Sequence, residues 1–425
     1  MTRIVMDVDT GIDDTLALAY VLAAVREGEC ELAGVVGTYG NVLASTAVAN
    51  NRAVLRLFAD AVPGGTAGVP TPRGCVCPSW ADGFAVDEGC ARFHGMNGLG
   101  NVDPVRYGAP GALRSGGVGP AGDGGPAGRG GRPGGSTSPD TVAGRMGLAG
   151  RPMVLSLGGE RHDLATDVFG IDPAYADRPS EWRADAAGAA VDGLPAGVRL
   201  IIDEVRAHGP EVTVLATGPL TDVDAAIAAA PDIAARMRLV VMGGALTQEG
   251  NCYDLVCETN VFQDPEAADR VFRAVADVTM IGLDVTHQCL MTRDDAAAWR
   301  AAGVQAGVQT GTQAGAFLAD MVRFYIDANE ASDPIFLAGS PLHDPLAAAV
   351  ALDPTLVDCF ATNMMVETAT GNGLGFRGRT IGDPTRLRDP RKNTRVALNV
   401  DAARFTALFR DRLAALCAGA GAGAR

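Results

Sequence analysis

The chain has 425 residues, 47% hydrophobic and 20% charged, with 35 basic against 50 acidic side chains and a formal charge of −15. It is long enough to bury a large core. The acidic balance argues against a nucleic-acid or anionic-membrane partner, both of which need an excess of Lys and Arg, but it is compatible with a small neutral substrate or a cation. No signal-peptide pattern precedes the first apolar run, and no apolar stretch is long enough for a membrane span. The nine Cys, odd in number and scattered, read as reduced thiols. These features point to a cytoplasmic protein.

In chain order, Ile4–Val8 is a strand-like run and Thr15–Val25 an Ala- and Leu-rich helix, followed by a strand at Leu32–Val36 and a helix at Ser45–Phe58. Further on come a strand at Val212–Ala216, a helix at about 222–230, a strand at Leu239–Met242, a helix opening at Asp264-Pro265 and a strand at Val278–Leu283. Short apolar strands alternating with helices predict an α/β fold, a single open and mostly parallel sheet flanked by helices. Asp264-Pro265 and Asp344-Pro345 share one grammar, a carboxylate at N-cap and Pro at N1. Between Gly108 and Gly135, 13 of 28 residues are Gly and four are Pro, so residues 107–150 read as a disordered insertion within one domain spanning 1–417. The tail 418–425 reads as flexible.

The most informative segment is Asp7-Val8-Asp9-Thr10-Gly11-Ile12-Asp13-Asp14, four carboxylates in eight residues where a strand gives way to a helix. The carboxyl end of a strand is where open α/β sheets bind ligands. A helix N-terminus offsets only about 0.3–1 kcal/mol per acid, less than the mutual repulsion of four, so a bound cation resolves the conflict. All-oxygen ligands favour a hard ion, Ca²⁺ with Mg²⁺ second, over zinc. A capping cluster on a solvated turn is the plain alternative. A Mg²⁺-dependent, haloacid-dehalogenase-like phosphohydrolase with Asp7 as nucleophile is the chemical one, although Gly11 and the two further acids depart from its pattern. An EF-hand loop does not match.

The segment also resembles the fingerprint of the inosine-uridine-preferring nucleoside hydrolase family, with Thr10 where that family usually has Pro. The resemblance continues through Gly37-Thr38-Tyr39-Gly40-Asn41, His94–Gly100, Ala216–Thr221, Met242–Ala245, Gly250-Asn251, Glu258-Thr259-Asn260, Asp264–Ala268, Leu283–Thr286 and His343–Ala347. It implies hydrolysis of the N-glycosidic bond of ribonucleosides to ribose and free base, and a Ca²⁺ at the pocket floor. It also implies a homo-oligomer, a homodimer or homotetramer. On this resemblance Asp9, Asp14, Asp344 and the carbonyl of Thr217 are metal ligands, and Asp9 is also the general base that activates water. Asp13, Asn41, Asn251, Glu258 and Asn260 hold the ribose, His94 is a pocket residue on the substrate side, Asp7 supports the acids from behind, and His343 is the candidate general acid for the leaving base.

These roles suit the chemistry. Departure of a base leaves an oxocarbenium-like centre that carboxylates stabilise, and an imidazole titrates in the range needed to protonate a poor leaving group. Thr259 replaces an aromatic residue usual beside the sugar, and the interval from Asn251 to Glu258 is one residue longer than usual. Phe324, Tyr325 and Asn329 precede His343 and could face the base, but they read first as ordinary helix surface or core. A zinc site from Cys75, Cys77, Cys90 and His94 has unusual spacing, and Leu157–Glu160 lacks the Lys-Ser/Thr of a P-loop. A protein that binds nucleosides without cleaving them is the non-enzymatic alternative.

Overall fold

The structure is a computed structural model that describes residues 1–109, 193–252, 255–305, 313–332, 334–369 and 376–419. The Gly-rich insertion beyond residue 109, Leu157–Glu160 and the tail from residue 420 lie outside these. The first half alternates β1 (Thr2–Val8), α1 (Ile12–Glu27), β2 (Cys30–Gly37), α2 (Ala44–Leu57) and the short α3 (Glu88–His94). Then follow α4 (Ala196–His208), β3 (Val212–Ala216), α5 (Thr221–Ala229), β4 (Arg238–Met242), α6 (Thr259–Gln263), α7 (Pro265–Ala274) and β5 (Asp277–Ile281). The remainder comprises α8 (Leu283–Thr286), β6 (Leu290–Met291), α9 (Arg293–Gln305), α10 (Ala314–Ser332), β7 (Ser340–Pro341), α11 (His343–Leu352), β8 (Val357–Thr362), β9 (Met364–Val366), β10 (Thr380–Gly382), β11 (Thr394–Val400) and α12 (Ala402–Cys417).

Seven strands form one sheet in the order β2-β1-β3-β4-β5-β11-β8, and only the edge strand β8 runs antiparallel. The mostly parallel sheet expected from the alternation of strands and helices is therefore present. Its core lies on both faces. Ile4, Met6 and Val8 of β1 pack into one apolar cluster with α1, α10, α11 and α12, while Val5 packs into the other with α4, α5 and α7. This is the two-sided alternation of a central strand covered by helices on both sides. Helix α1 packs against both α11 and α12 and is buried from Ile12 to Ala24, which accounts for its lack of a polar face.

The order fixes where a site can form. From β1 the chain moves to β2 on one side and later to β3 on the other, so the crevice between the carboxyl ends of β1 and β3 is a topological switch point. Asp7 ends the β1 pairing with β3 opposite Ala216, and Asp9 to Asp14 follow directly. None of the described helices is long and apolar enough to cross a membrane. All nine Cys are free thiols, eight of them buried.

Candidate active site

The turn after β1 is tightly held. Thr10 has a positive φ of 23°, rare for a residue with a Cβ, and its Oγ1 donates to Asn51 Oδ1 at 2.8 Å. Neighbouring Asn50 donates to Thr10 O at 3.3 Å and to Asn97 O at 2.8 Å, tying this turn to the loop after α3. The expected α1 starts earlier than its apolar pattern, at Ile12, with Gly11 as N-cap. Asp13 and Asp14 therefore sit in its first turn, where the free N–H groups of the helix favour negative charge. Asp14 Oδ2 accepts from Gly11 N at 2.8 Å, and Asp14 Oδ1 accepts from the Thr217 hydroxyl at 2.6 Å.

Asp9 is held by the loop after β2. Its Oδ2 accepts from Asn41 N at 2.6 Å and its Oδ1 from Asn41 Nδ2 at 3.2 Å. Gly40, at φ 153°, permits this approach, because a Cβ there would lie 1.9 Å from Asp9 Oδ2. The Thr217 carbonyl accepts from Asn260 Nδ2 at 2.7 Å, so the ends of β1 and β3 and the start of α6 are joined in one network.

Carboxylate oxygens of Asp13, Asp14 and Asp344 come within 4.8 Å of one another, all three residues buried; no other such group of His, Cys, Asp or Glu converges among the described residues. Asp9 lies close enough to Asp14 that the neighbouring charge raises its cost of ionising. Burial first, and neighbouring acids second, push Asp9 and Asp344 well above the usual carboxylate range. Burial raises Asp13 and Asp14 to about 6 each. Asp13 Oδ1 has no hydrogen-bond partner. Buried acids with this much unresolved repulsion suit a cation, and a donor set made only of oxygen suits a hard one.

Asp7 is different. It does not line the cavity; both its oxygens lack hydrogen-bond donors from other groups, and it faces the buried Asp222, itself held by Cys75 N at 2.7 Å. Burial, then repulsion from Asp222, raises Asp7 well above its usual range. It lies behind the site rather than in it, and as the nucleophile of a phosphohydrolase it would be out of a substrate's reach. Asp222 was not singled out in the sequence, because nothing local marks an acid in the first turn of a helix as the partner of one 215 residues earlier.

Above the acids lies a cavity of about 390 Å³, and Asp13, Asn41, Thr217, Asn251, Glu258, Asn260, His94, His343 and Asp344 all line it. Nine of the twelve expected site residues thus meet at one opening, with Asp9, Asp14 and Asp7 beneath. Glu258 is the N-cap of α6, accepting from Asn260 N at 2.8 Å and Val261 N at 3.1 Å, and also holds Gly244 N at 2.9 Å. Asn251 Oδ1 accepts from both the main-chain N and the hydroxyl of Thr259, at 3.0 and 3.1 Å. The substitution that removes an aromatic ring therefore supplies a polar tie to Asn251.

The histidines are placed by their neighbours. His94 Nδ1 accepts from Ile12 N at 3.1 Å, which leaves the hydrogen of the neutral ring on Nε2. Burial lowers its pKa to about 4, so it is neutral at pH 7 although Asp13 lies 3.7 Å away. His343 Nδ1 is 2.8 Å from Thr286 Oγ1, and burial, then the nearby His287, lowers its pKa well below the usual value. The ring of His287 makes edge contacts with His343 and Phe336 at 5.6 and 5.4 Å between centroids.

One expected element boundary is overturned. α11 begins at His343 with Leu342 as N-cap, and no side chain caps it, so Asp344 is not the N-cap. Its carboxyl joins the acidic group instead. Asp264 does cap α7, accepting from Ala267 N. Tyr325 and Asn329, read as helix surface or core, are buried but line the cavity, as does His287, which was not singled out; Phe324 does not. The zinc alternative finds no support, since Cys75, Cys77, Cys90 and His94 form no converging group of ligand atoms among the described residues.

Residues 4–407 match the family described as inosine-uridine preferring nucleoside hydrolase. The enzyme of that name from Leishmania major is 34% identical over 224 residues, 52% of this chain and 66% of the relative, so the match spans just under two thirds of that protein's length. A pyrimidine-specific ribonucleoside hydrolase RihA of Klebsiella pneumoniae is 30% identical over 63% of this chain and 82% of its own. The solved purine-preferring ribonucleoside hydrolase from Gardnerella vaginalis superposes with a TM-score of 0.68 at 35% identity, covering 98% of this chain and 99% of the other.

Proposed function

The chain belongs to the inosine-uridine preferring nucleoside hydrolase family, and we propose that it cleaves the N-glycosidic bond of ribonucleosides with water, releasing ribose and the free base. The observation that carries this reading is the convergence of Asp13, Asp14 and Asp344 on the floor of a cavity whose walls hold amide and imidazole side chains. The residues fit a divalent cation: buried carboxyls with raised pKa values, an unpartnered Asp13 Oδ1 and oxygen donors only. We take Asp9, Asp14, Asp344 and the Thr217 carbonyl as its ligands, with Ca²⁺ the favoured ion and Mg²⁺ second. When bound, such an ion lowers the pKa of water and offsets the repulsion among the acids.

Asp9 is the proposed general base. Two donors from Asn41 fix its orientation, and a carboxylate with a raised pKa is better matched to accept a proton near neutral pH than an ordinary one. Asp13, which lines the cavity beside Asp344, grips the ribose hydroxyls. Asn41, Asn251, Glu258 and Asn260 surround the sugar, with Glu258 and Asn251 themselves braced by the backbone of α6. Anchoring groups that do not react is how binding energy is directed to the reacting bond. As C1′–N breaks, positive charge develops on the sugar and the surrounding carboxylates stabilise it.

The departing base needs a proton or a strong hydrogen-bond donor. His343 is the proposed donor, with the Thr286 contact at Nδ1 holding its ring, and His94 presents its Nε2–H from the neighbouring wall. A homo-oligomer, homodimer or homotetramer, acting in the cytoplasm completes the reading. The test is release of reducing sugar from inosine, guanosine, adenosine, uridine and cytidine. Stoichiometric ribose and base from at least one supports it; binding of these nucleosides by calorimetry with no release would make the protein a binder instead.

A further inference from the structure

The segment Gly378-Arg379-Thr380 lies beyond every motif of the sequence, at the start of β10, yet it grips the wall of the cavity. Thr380 Oγ1 accepts from Ala245 N at 3.0 Å and donates to Ala245 O at 2.8 Å. Gly378, at φ 87°, brings its backbone onto α6 and the chain before it. A Cβ there would lie 3.0 Å from Phe262 Cα and 3.3 Å from Cys257 Cβ. Between these two residues, the Arg379 guanidinium donates from Nη1 to Val256 O at 2.6 Å and from Nη2 to Leu246 O at 3.0 Å. Among the described residues it has no carboxylate partner, so these two carbonyls are what places it.

The carbonyls belong to the two limbs of one loop, which carries Glu249, Gly250, Asn251, Cys252 and Leu255 to the cavity. The first limb is fixed on its N–H side, where Asp284 accepts from Leu246 N, Thr247 N and Gln248 N at 2.9, 2.7 and 3.2 Å. The limbs meet at Gly250, where a Cβ would lie 2.2 Å from Cys257 O, and Gly250 N donates to Leu255 O at 2.8 Å. Leu255 is 62% exposed at a φ of 57°, uncommon for a residue with a Cβ. A loop with so exposed a tip keeps its position through its neck. Arginine suits that neck, because its planar fork holds two acceptors at a fixed separation. Asn251 is the residue whose aim depends on this. Its Oδ1 is occupied by Thr259, so Nδ2 is the donor left for the cavity. We propose that Arg379 is a positioning residue for the sugar: by clasping both limbs of the loop it holds Asn251 within reach of a ribose hydroxyl. This rests on the nucleoside hydrolase reading. Arg379 does not line the cavity, so its contribution passes through the loop.

The test pairs Arg379→Met, which keeps the length and removes every donor, with Arg379→Lys, whose point charge cannot fork to two carbonyls. Amide hydrogen exchange and the kinetics of ribose release from the best ribonucleoside are measured for both variants and the wild type. Exchange should quicken at Gly250, Cys252, Leu255 and Thr259 while β4 and β5 stay protected. KM should rise at least about five-fold with kcat changed by less than about two-fold, because a contact to a non-reacting group has been loosened. The Lys variant should fall between, and it decides the matter should the Met variant not fold. In an Asn251→Ala background, Arg379→Met should raise KM further by less than about two-fold. Unchanged exchange in the loop, an unchanged KM, or a full-sized KM effect that persists without the Asn251 side chain overturns the proposal and leaves the hydrolase reading intact. No cleavage of any nucleoside by the wild type overturns that reading, and the sugar-positioning role with it.

Discussion

At the scale of single residues, the chemistry depends on how Asp9 is held. It is fully buried, with Asn41 supplying two hydrogen bonds and Gly40 leaving the space they need. Asp9→Asn keeps the volume but removes the base, so kcat for ribose release should fall by about 10²–10⁴ with an unchanged circular dichroism spectrum; near-wild-type rates would remove Asp9 from that role. Gly40→Ala would set a methyl against the Asp9 carboxylate and should depress kcat comparably without touching a ligand. His343→Ala should slow natural nucleosides far more than an activated nitrophenyl riboside, whose leaving group needs no proton. Equal losses on both would make His343 a binding residue. The acids were legible in the sequence as a cluster at a strand end, whereas the amide and imidazole side chains could be named only through the family resemblance. Tyr325 and Asn329 were named but could not be told from helix surface or core, and His287 was not singled out. Each sits in a helix or at its end, where a residue aimed into a cavity carries the same periodic signature as one aimed into a core.

At the scale of elements, the site is where the chain changes direction across the sheet. The end of β1 supplies the acids, the loop after β2 supplies Asn41, the end of β3 supplies Thr217, and the first turns of α6 and α11 bring Glu258, Asn260 and Asp344. Asp264 ties these supports together, accepting from Ser79 N, Ser79 Oγ, Thr221 Oγ1 and Ala267 N. Asp264→Ala removes the α7 cap and orphans buried donors, so it should destabilise the protein by about 2 kcal/mol or more, measurable as a lower urea midpoint. The alternating pattern revealed the parallel strands because each is a short apolar run between helices. It did not reveal β8 and β11. β8 is an edge strand exposed over most of its length, and β11 mixes buried and exposed positions, so neither reads as a core strand. The misplaced start of α11 has a similar cause: Asp-Pro marks a helix beginning, but the structure opens the helix two residues earlier and gives the carboxyl to the acidic group.

At the scale of the whole molecule, folding assembles acids that repel one another. Asp13 and Asp14 are raised to about 6, above the ordinary 3.8, so the native state binds protons more tightly than the unfolded chain between roughly those values. Stability of the cation-free protein should therefore fall as pH rises from about 4 to 6, and Asp9 and Asp344, also raised, act in the same sense. His94, lowered to about 4, acts in the opposite sense but is outnumbered by the acids. Added Ca²⁺ should raise Tm more at pH 7.5 than at pH 5, since it competes with protons for the same carboxyls; equal shifts at both pH values would place its binding elsewhere. The most direct measurement is ribose release by chelator-stripped protein, before and after Ca²⁺ is restored, for the wild type and Asp344→Asn. Activity that vanishes on stripping, returns with Ca²⁺ in the wild type and does not return in Asp344→Asn is the expected result. Full activity in the stripped wild type would contradict a cation on the acidic floor as the centre of this site.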